Sequence, residues 1–123
     1  MNKIILIIED EEMIMSVLKK KLIENGFEVI TASDGEEGLV KAMSDNPDLI
    51  LLDIVMPKLD GITMMEKYNQ AKGGNKVPVI ILSNLDSADK IEESKTKGVH
   101  DYLVKTNWSL DDVVKKIKET LGV

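Results

Sequence analysis

The run Ile4-Ile-Leu-Ile-Ile8 stops at Glu9-Asp10, and the run Leu49-Ile-Leu-Leu52 stops at Asp53. Both are short, unbroken blocks of branched aliphatic side chains, without the alternation of a strand that keeps one wet face. They read as strands covered on both sides. Working outward, similar blocks appear at Phe27–Thr31, Val77–Leu82 and Val99–Val104. Between them lie stretches with helical spacing. The first, about Glu11 to Asn25, sets Met13, Ile14, Val17, Leu18, Leu22 and Ile23 on one apolar face and stops at Gly26, which suits a left-handed helix end. The others run from about Gly35 to Ser44, from Gly61, from Asp86 and from Ser109, where Ser109-Leu-Asp-Asp112 has the pattern of a capped helix start. Parallel strands need a crossover helix to cover the sheet. The spacing therefore predicts an α/β domain: a five-stranded parallel sheet, doubly wound, with helices on both faces.

Composition narrows the function classes. The chain has 123 residues, 43% of them hydrophobic and 31% charged, which fits one domain with a real core. Its 16 cations are all Lys, against 22 acids, for a net charge of -6. An acidic chain without Arg lacks the concentrated positive surface that nucleic acid or anionic lipid requires. With no Cys, disulfides, zinc–thiolate sites and thiol nucleophiles are excluded. The run Ile4–Ile8 is too short for the apolar region of a signal peptide or for a membrane span. A cytoplasmic domain with neither nucleic-acid nor membrane partners is the expectation.

The acids that end the strands carry the chemistry. In an open α/β sheet, ligands bind beyond the carboxyl ends of the strands, where the strand order reverses. With the second strand outside the first, in the order 2-1-3-4-5, the first and third strands are neighbours there. Glu9, Asp10 and Asp53 then share one pocket. Three carboxylates so close repel one another unless a cation joins them. Oxygen donors without His or Cys point to a hard divalent ion, most simply Mg2+. Ser83 ends the fourth strand block and Lys105 the fifth. A hydroxyl, an ammonium and a divalent ion around a carboxylate suit a phosphoryl group, with the carboxylate as nucleophile. Single acids at strand ends are commonly solvated turns or caps; it is their gathering on one rim that matters.

These residues also form a known pattern. Ile7-Ile-Glu-Asp-Glu11, Asp34-Gly35, Pro47-Asp48-Leu-Ile-Leu-Leu-Asp53, Met56-Pro57, Asp60-Gly61, Ser83 and Gly98-x-x-Asp-Tyr-Leu-x-Lys105 occur in order over essentially the whole chain. The chain thus resembles the CheY-like receiver domain of two-component response regulators. The resemblance implies a flavodoxin-like (βα)5 fold over residues 1–123, with no output domain following. It implies that Asp53 accepts the phosphoryl group from a phosphohistidine on a sensor histidine kinase or a histidine phosphotransfer protein. Mg2+, with Mn2+ as a substitute, would be held by Asp10, Asp53 and the backbone carbonyl of Val55, with Glu9 acting through a bound water. Ser83 would donate a hydrogen bond to the phosphoryl group, Lys105 would pair with it, and Tyr102 would be the aromatic switch. Such a domain promotes its own phosphorylation and dephosphorylation and does not turn over free substrates. The output would be a changed affinity for a downstream protein through the face of the fourth helix, fifth strand and fifth helix, where a homodimer would also form.

The chain departs from the family pattern at several positions. Glu9 stands where Asp is commoner, and Asn84 where a small residue is usual. Lys105-Thr106 replaces Lys-Pro, whose bond is cis in the family. Val55 and Leu85, both aliphatic, occupy positions where the family tunes phosphoryl lifetime, and imply slow hydrolysis. The stretch from Asp86 to Gly98 has only Ala88 and Ile91 to bury before Gly98, so a weak fourth helix is expected.

Two rival functions fit less well. An aspartate-nucleophile phosphatase would carry an acid two places after Asp53, where Val55 stands. A nucleotide or flavin binder would follow the first strand with a Gly-rich loop, not with Glu9-Asp10-Glu11-Glu12. His100, the single His, reads as a solvated loop residue, and Trp108 as packing against a neighbouring loop. Met13, Met15, Met64 and Met65 read for the most part as core, and Lys115, Lys116 and Lys118 as a solvated helix face.

Overall fold

β1 (Ile4–Ile8) lies inside the sheet because it pairs in parallel on both edges, with β2 (Glu28–Ala32) and with β3 (Leu49–Leu52). β4 (Val79–Ser83) adds to β3, and β5 (Asp101–Val104) adds to β4. The resulting order is β2-β1-β3-β4-β5, all parallel, as the sequence predicts. The computed structural model describes residues 2–53, 61–72, 77–83, 99–104 and 108–123. Among these are helices α1 (Glu12–Glu24), α2 (Gly35–Ser44), α3 (Gly61–Lys72) and α4 (Leu110–Leu121). The helix expected from Asp86 to Gly98 lies outside the described residues, so the helix after β5 is numbered α4. Lys72 and Ser83 are described by their backbones alone.

Strand periodicity divides the core into two layers. Leu6, Ile8, Ile50, Leu52, Val79 and Ile81 go to one side, where Ala42 of α2 and Ile62, Met64, Met65 and Tyr68 of α3 cover them. Ile5, Ile7, Leu49, Leu51, Ile80, Leu82 and Leu103 go to the other, under Leu18 and Leu22 of α1 and Val113, Val114 and Ile117 of α4. Each fully buried Ile or Leu contributes about 1.5–3 kcal/mol, which is why these runs carry no polar side chain until they reach the rim.

Local chemistry sets the element ends. Asp34 caps α2 by accepting from the Glu37 N–H at 2.8 Å, and Glu37 accepts from the Ser33 N–H at 2.8 Å. Ser109 and Asp112 form the expected capping box of α4. α1 ends in a Schellman motif: the Gly26 N–H donates to the Ile23 carbonyl and the Phe27 N–H to that of Leu22, with Gly26 at φ +88°. At the end of the sheet opposite the acids, Asp48 ties β3 to β1. Its carboxylate accepts from the Ile4 N–H at 2.7 Å, while its own N–H donates to the Ile4 carbonyl.

The structure corrects two sequence readings. Strand limits shift by one or two residues: β2 starts at Glu28 and not Phe27, β4 at Val79 and not Val77, and β5 at Asp101 and not Val99. The apolar face of α1 is narrower than its spacing suggests: Leu18 and Leu22 are buried, but Met13 is 84% exposed, Ile23 51% and Val17 47%. A helix over a sheet buries only the stripe that points at the strands, and these three lie on its flanks.

Candidate functional site

The register of β1 against β3 puts Ile8 opposite Leu52, so the two residues that follow come out side by side. The Asp53 N–H donates to the Ile8 carbonyl at 3.0 Å, and the Glu9 N–H to the Ala32 carbonyl at 3.0 Å. These ladder bonds continue past the strand ends and fix the two backbones. Asp10, next along, begins the turn into α1. The three carboxylates converge: one oxygen each from Glu9, Asp10 and Asp53 lies within 4.8 Å of the others. Residues far apart in the chain are thus brought together by strand order, as expected.

Burial within the cluster is uneven. Glu9 and Asp53 are 3% and 5% exposed, whereas Asp10 is exposed. The floor beneath them is apolar, built from Ile7, Ile8, Leu18, Leu51, Leu52 and Leu82. Glu9 is oriented in part by the Glu11 N–H, which donates to its Oε1 at 3.4 Å. Buried acids over a hydrocarbon floor are expensive unless countered by positive charge. The donor set, all carboxylate oxygen, with one member open to water, fits a small hard cation that keeps part of its hydration.

The remaining expected site residues are placed less completely. The Ser83 backbone closes β4 opposite Val104 of β5, on the same rim. Its side chain, together with Val55, Lys105 and the Lys105-Thr106 bond, lies outside the described residues, as do Asn84 and Leu85. Tyr102 is half-buried in β5 and packs against the layer covered by α2 and α3. His100 is exposed, as read from the sequence. Met64 and Met65 are core, but Met13 is not.

One feature beside the cluster is not legible in the sequence. Met13, Ile14, Val17 and Leu18 of α1 face Trp108, Ser109, Leu110 and Val113 at the start of α4 across an apolar groove of 380 Å³, floored by Leu82. Leu18 and Leu82 also line the acidic pocket, so the groove lies beside it. The signal available was the pair Met13 and Val17, four apart and just after the acids; helical periodicity assigns both to the core. Among the described residues no helix is long and apolar enough to cross a membrane.

Comparison with known proteins agrees with this geometry. The family model of the response regulator receiver domain matches residues 5–118. The chain is 42% identical over 122 residues to the alkaline phosphatase synthesis transcriptional regulatory protein PhoP of Bacillus subtilis, covering 98% of this chain and 49% of that protein. It therefore spans about half the length of the curated relatives it matches. Among solved structures, the receiver domain of Francisella response regulator 1452 superposes with a TM-score of 0.90 at 34% identity, over 98% of each chain. A chain of the CheX–CheY–BeF3–Mg complex from Borrelia burgdorferi superposes with a TM-score of 0.86 at 29% identity, over 95% of this chain and 87% of that one. With a matching family model over most of its length, relatives of the same kind and the parallel 2-1-3-4-5 sheet, the chain belongs to the response regulator receiver domain family.

Proposed function

We propose that this chain, acting as one receiver unit over residues 1–123 in the cytoplasm, accepts a phosphoryl group on Asp53 from the phosphohistidine of a sensor histidine kinase or histidine phosphotransfer protein. The observation that carries the reading is the convergence of Glu9, Asp10 and Asp53 at the rim where β1 and β3 adjoin. Mg2+, when bound, supplies positive charge that offsets the phosphoryl oxygens and the carboxylates. Asp10, Asp53 and the Val55 carbonyl would hold it, with Glu9 acting through a bound water, and Mn2+ would suit the same oxygen set.

In the transfer, an Asp53 carboxylate oxygen attacks phosphorus. The P–N bond of the donor breaks, the imidazole keeps its electron pair, and an acyl phosphate forms. The step is largely positioning and charge compensation. The ladder bond from the Asp53 N–H to Ile8 holds the nucleophile in place. Lys105 pairs with the incoming oxygens and Ser83 donates a hydrogen bond to them, as the family pattern implies. Both gain that partner only in the phosphorylated state, which gives a contact that differs between two states. Tyr102, which borders the core from β5, is the residue through which the change reaches the output face and a downstream protein or second copy. The apolar groove adjoining the pocket gives the donor protein a surface to seat on. The chain acts once per phosphoryl group, as a signalling module.

Incubation with Mg2+ and acetyl phosphate followed by intact-mass measurement tests this. One phosphoryl adduct is expected in the wild type and none in Asp53→Asn. Absence of an adduct with every donor tried points to a scaffold that works unphosphorylated. Multiple turnover of a phosphate ester points to a phosphatase.

A further inference from the structure

The single Asn-Gly dipeptide of the sequence, Asn25-Gly26, sits at the end of α1. An Asn followed by Gly is the sequence most open to spontaneous loss of ammonia, because no side chain hinders the following backbone nitrogen. That nitrogen attacks the Asn side-chain carbonyl carbon. A C–N bond forms, the side-chain nitrogen leaves as ammonia with the proton from the attacking N–H, and a five-membered imide remains. Water then opens the imide at either carbonyl to give aspartate or isoaspartate. No oxidant or cofactor is needed.

Here both reacting groups are engaged. The Gly26 N–H donates to the Ile23 carbonyl at 3.0 Å, and the Asn25 Nδ2 donates to the Lys21 carbonyl at 2.8 Å. The next bond, from the Phe27 N–H to the Leu22 carbonyl at 3.1 Å, is anchored by two buried side chains, Phe27 and Leu22. Attack requires Gly26 to leave its helix bond and the carboxamide to swing off Lys21 together. We infer that Asn25 is the deamidation site of this protein, that the Schellman end of α1 keeps it slow in the native fold, and that the reaction proceeds through local opening of that helix end.

The aspartate product differs in two ways that matter. The side-chain donor to the Lys21 carbonyl is lost, leaving only the Asn25 N–H on it at 3.2 Å, and a negative charge appears at a helix C-terminus, where the helix dipole opposes it. The new carboxylate also stands four residues beyond Lys21, whose ammonium holds Asp111 of α4 at 2.7 Å. Competition for that ammonium loosens the tie between α1 and α4.

The test is ageing of the intact chain at mildly alkaline pH, native and in urea, with peptide mapping of the mass gained when –NH2 becomes –OH. The gain is expected at Asn25, about tenfold or more slower in the native chain than in the unfolded one. Equal rates in the two states, or a first gain mapped to another residue, overturn the inference. Asn25→Asp, which carries the charge of one product, is expected to unfold at lower temperature than the wild type; an unchanged or higher midpoint overturns the assigned consequence.

Discussion

Replacing Glu9 by Gln removes one of three converging charges while keeping size and burial. If Glu9 reaches the cation through water, Glu9→Gln lowers Mg2+ affinity by about 10–100-fold, the usual effect of losing an outer-shell partner. Titration calorimetry reads it directly; unchanged affinity removes Glu9 from the site. The same cluster predicts that Mg2+ raises the unfolding midpoint of the wild type by mass action and does so less in Glu9→Gln at equal concentration. At this scale the sequence was informative, because an acid that ends an apolar run has no packing reason to be there. What spacing could not show was the difference in burial among the three, which depends on how the start of α1 leaves Asp10 open while Leu18 and Leu82 close beneath Glu9 and Asp53.

α2 owes its position to Gly38. A Cβ built there would lie 2.5 Å from the Ile8 Cδ1 and 2.9 Å from its Cγ1, on a side chain that is fully buried. Alanine would gain up to about 1 kcal/mol of helix propensity, but overpacking costs about 1–3 kcal/mol. Gly38→Ala is therefore expected to destabilise in urea unfolding, and Ile8→Val in the same chain to recover part of the loss; a stabilised Gly38→Ala would show that α2 is free to move outward. β5 and α4 are joined by the pair Lys116–Asp101 at 2.7 Å. Burial alone pushes the Asp101 carboxyl up, but the bonds from Lys116 and from the Tyr102 N–H, with the charges of Lys116 and His100, outweigh it and hold it below the ordinary 3.8. A lowered folded pKa gives stability that is present above the unfolded value and is lost as pH falls through the folded one. The gap in stability between wild type and Asp101→Asn is thus expected at neutral pH and to close below about pH 4, as chemical unfolding at the two pH values would show. Element ends were the least legible part of the fold. β2 and β3 begin where side-chain caps and ladder bonds allow, as with Asp48 bonded to Ile4, and hydropathy does not register that.

For the whole molecule, the doubly covered parallel sheet was readable because uniformly apolar runs suit a sheet covered on both faces, whereas the strand order was the condition under which the acids meet, and the pairing of β1 with β3 fulfils it. The groove was not, since Met13 and Val17 obey the same period as Leu18 and Leu22; only the placement of α4 against α1 separates surface from core. Val17→Asp, at a half-exposed position on that groove, is expected to leave labelling by acetyl phosphate unchanged and to slow transfer from a phosphorylated donor protein about tenfold or more, the penalty for burying a charge in an apolar contact; transfer from the donor protein at the wild-type rate would place the donor elsewhere. The sheet has its own consequence. It partitions the interior into two compartments with no side chain in common, Leu22 and Ile117 in one and Met65 and Tyr68 in the other. Large-to-small changes on opposite sides, such as Leu22→Ala with Met65→Ala, are expected to sum to within about 0.5 kcal/mol, whereas Leu22→Ala with Ile117→Ala departs from additivity. Descendants of this chain are therefore free to rebuild one compartment while the other keeps its inherited fit.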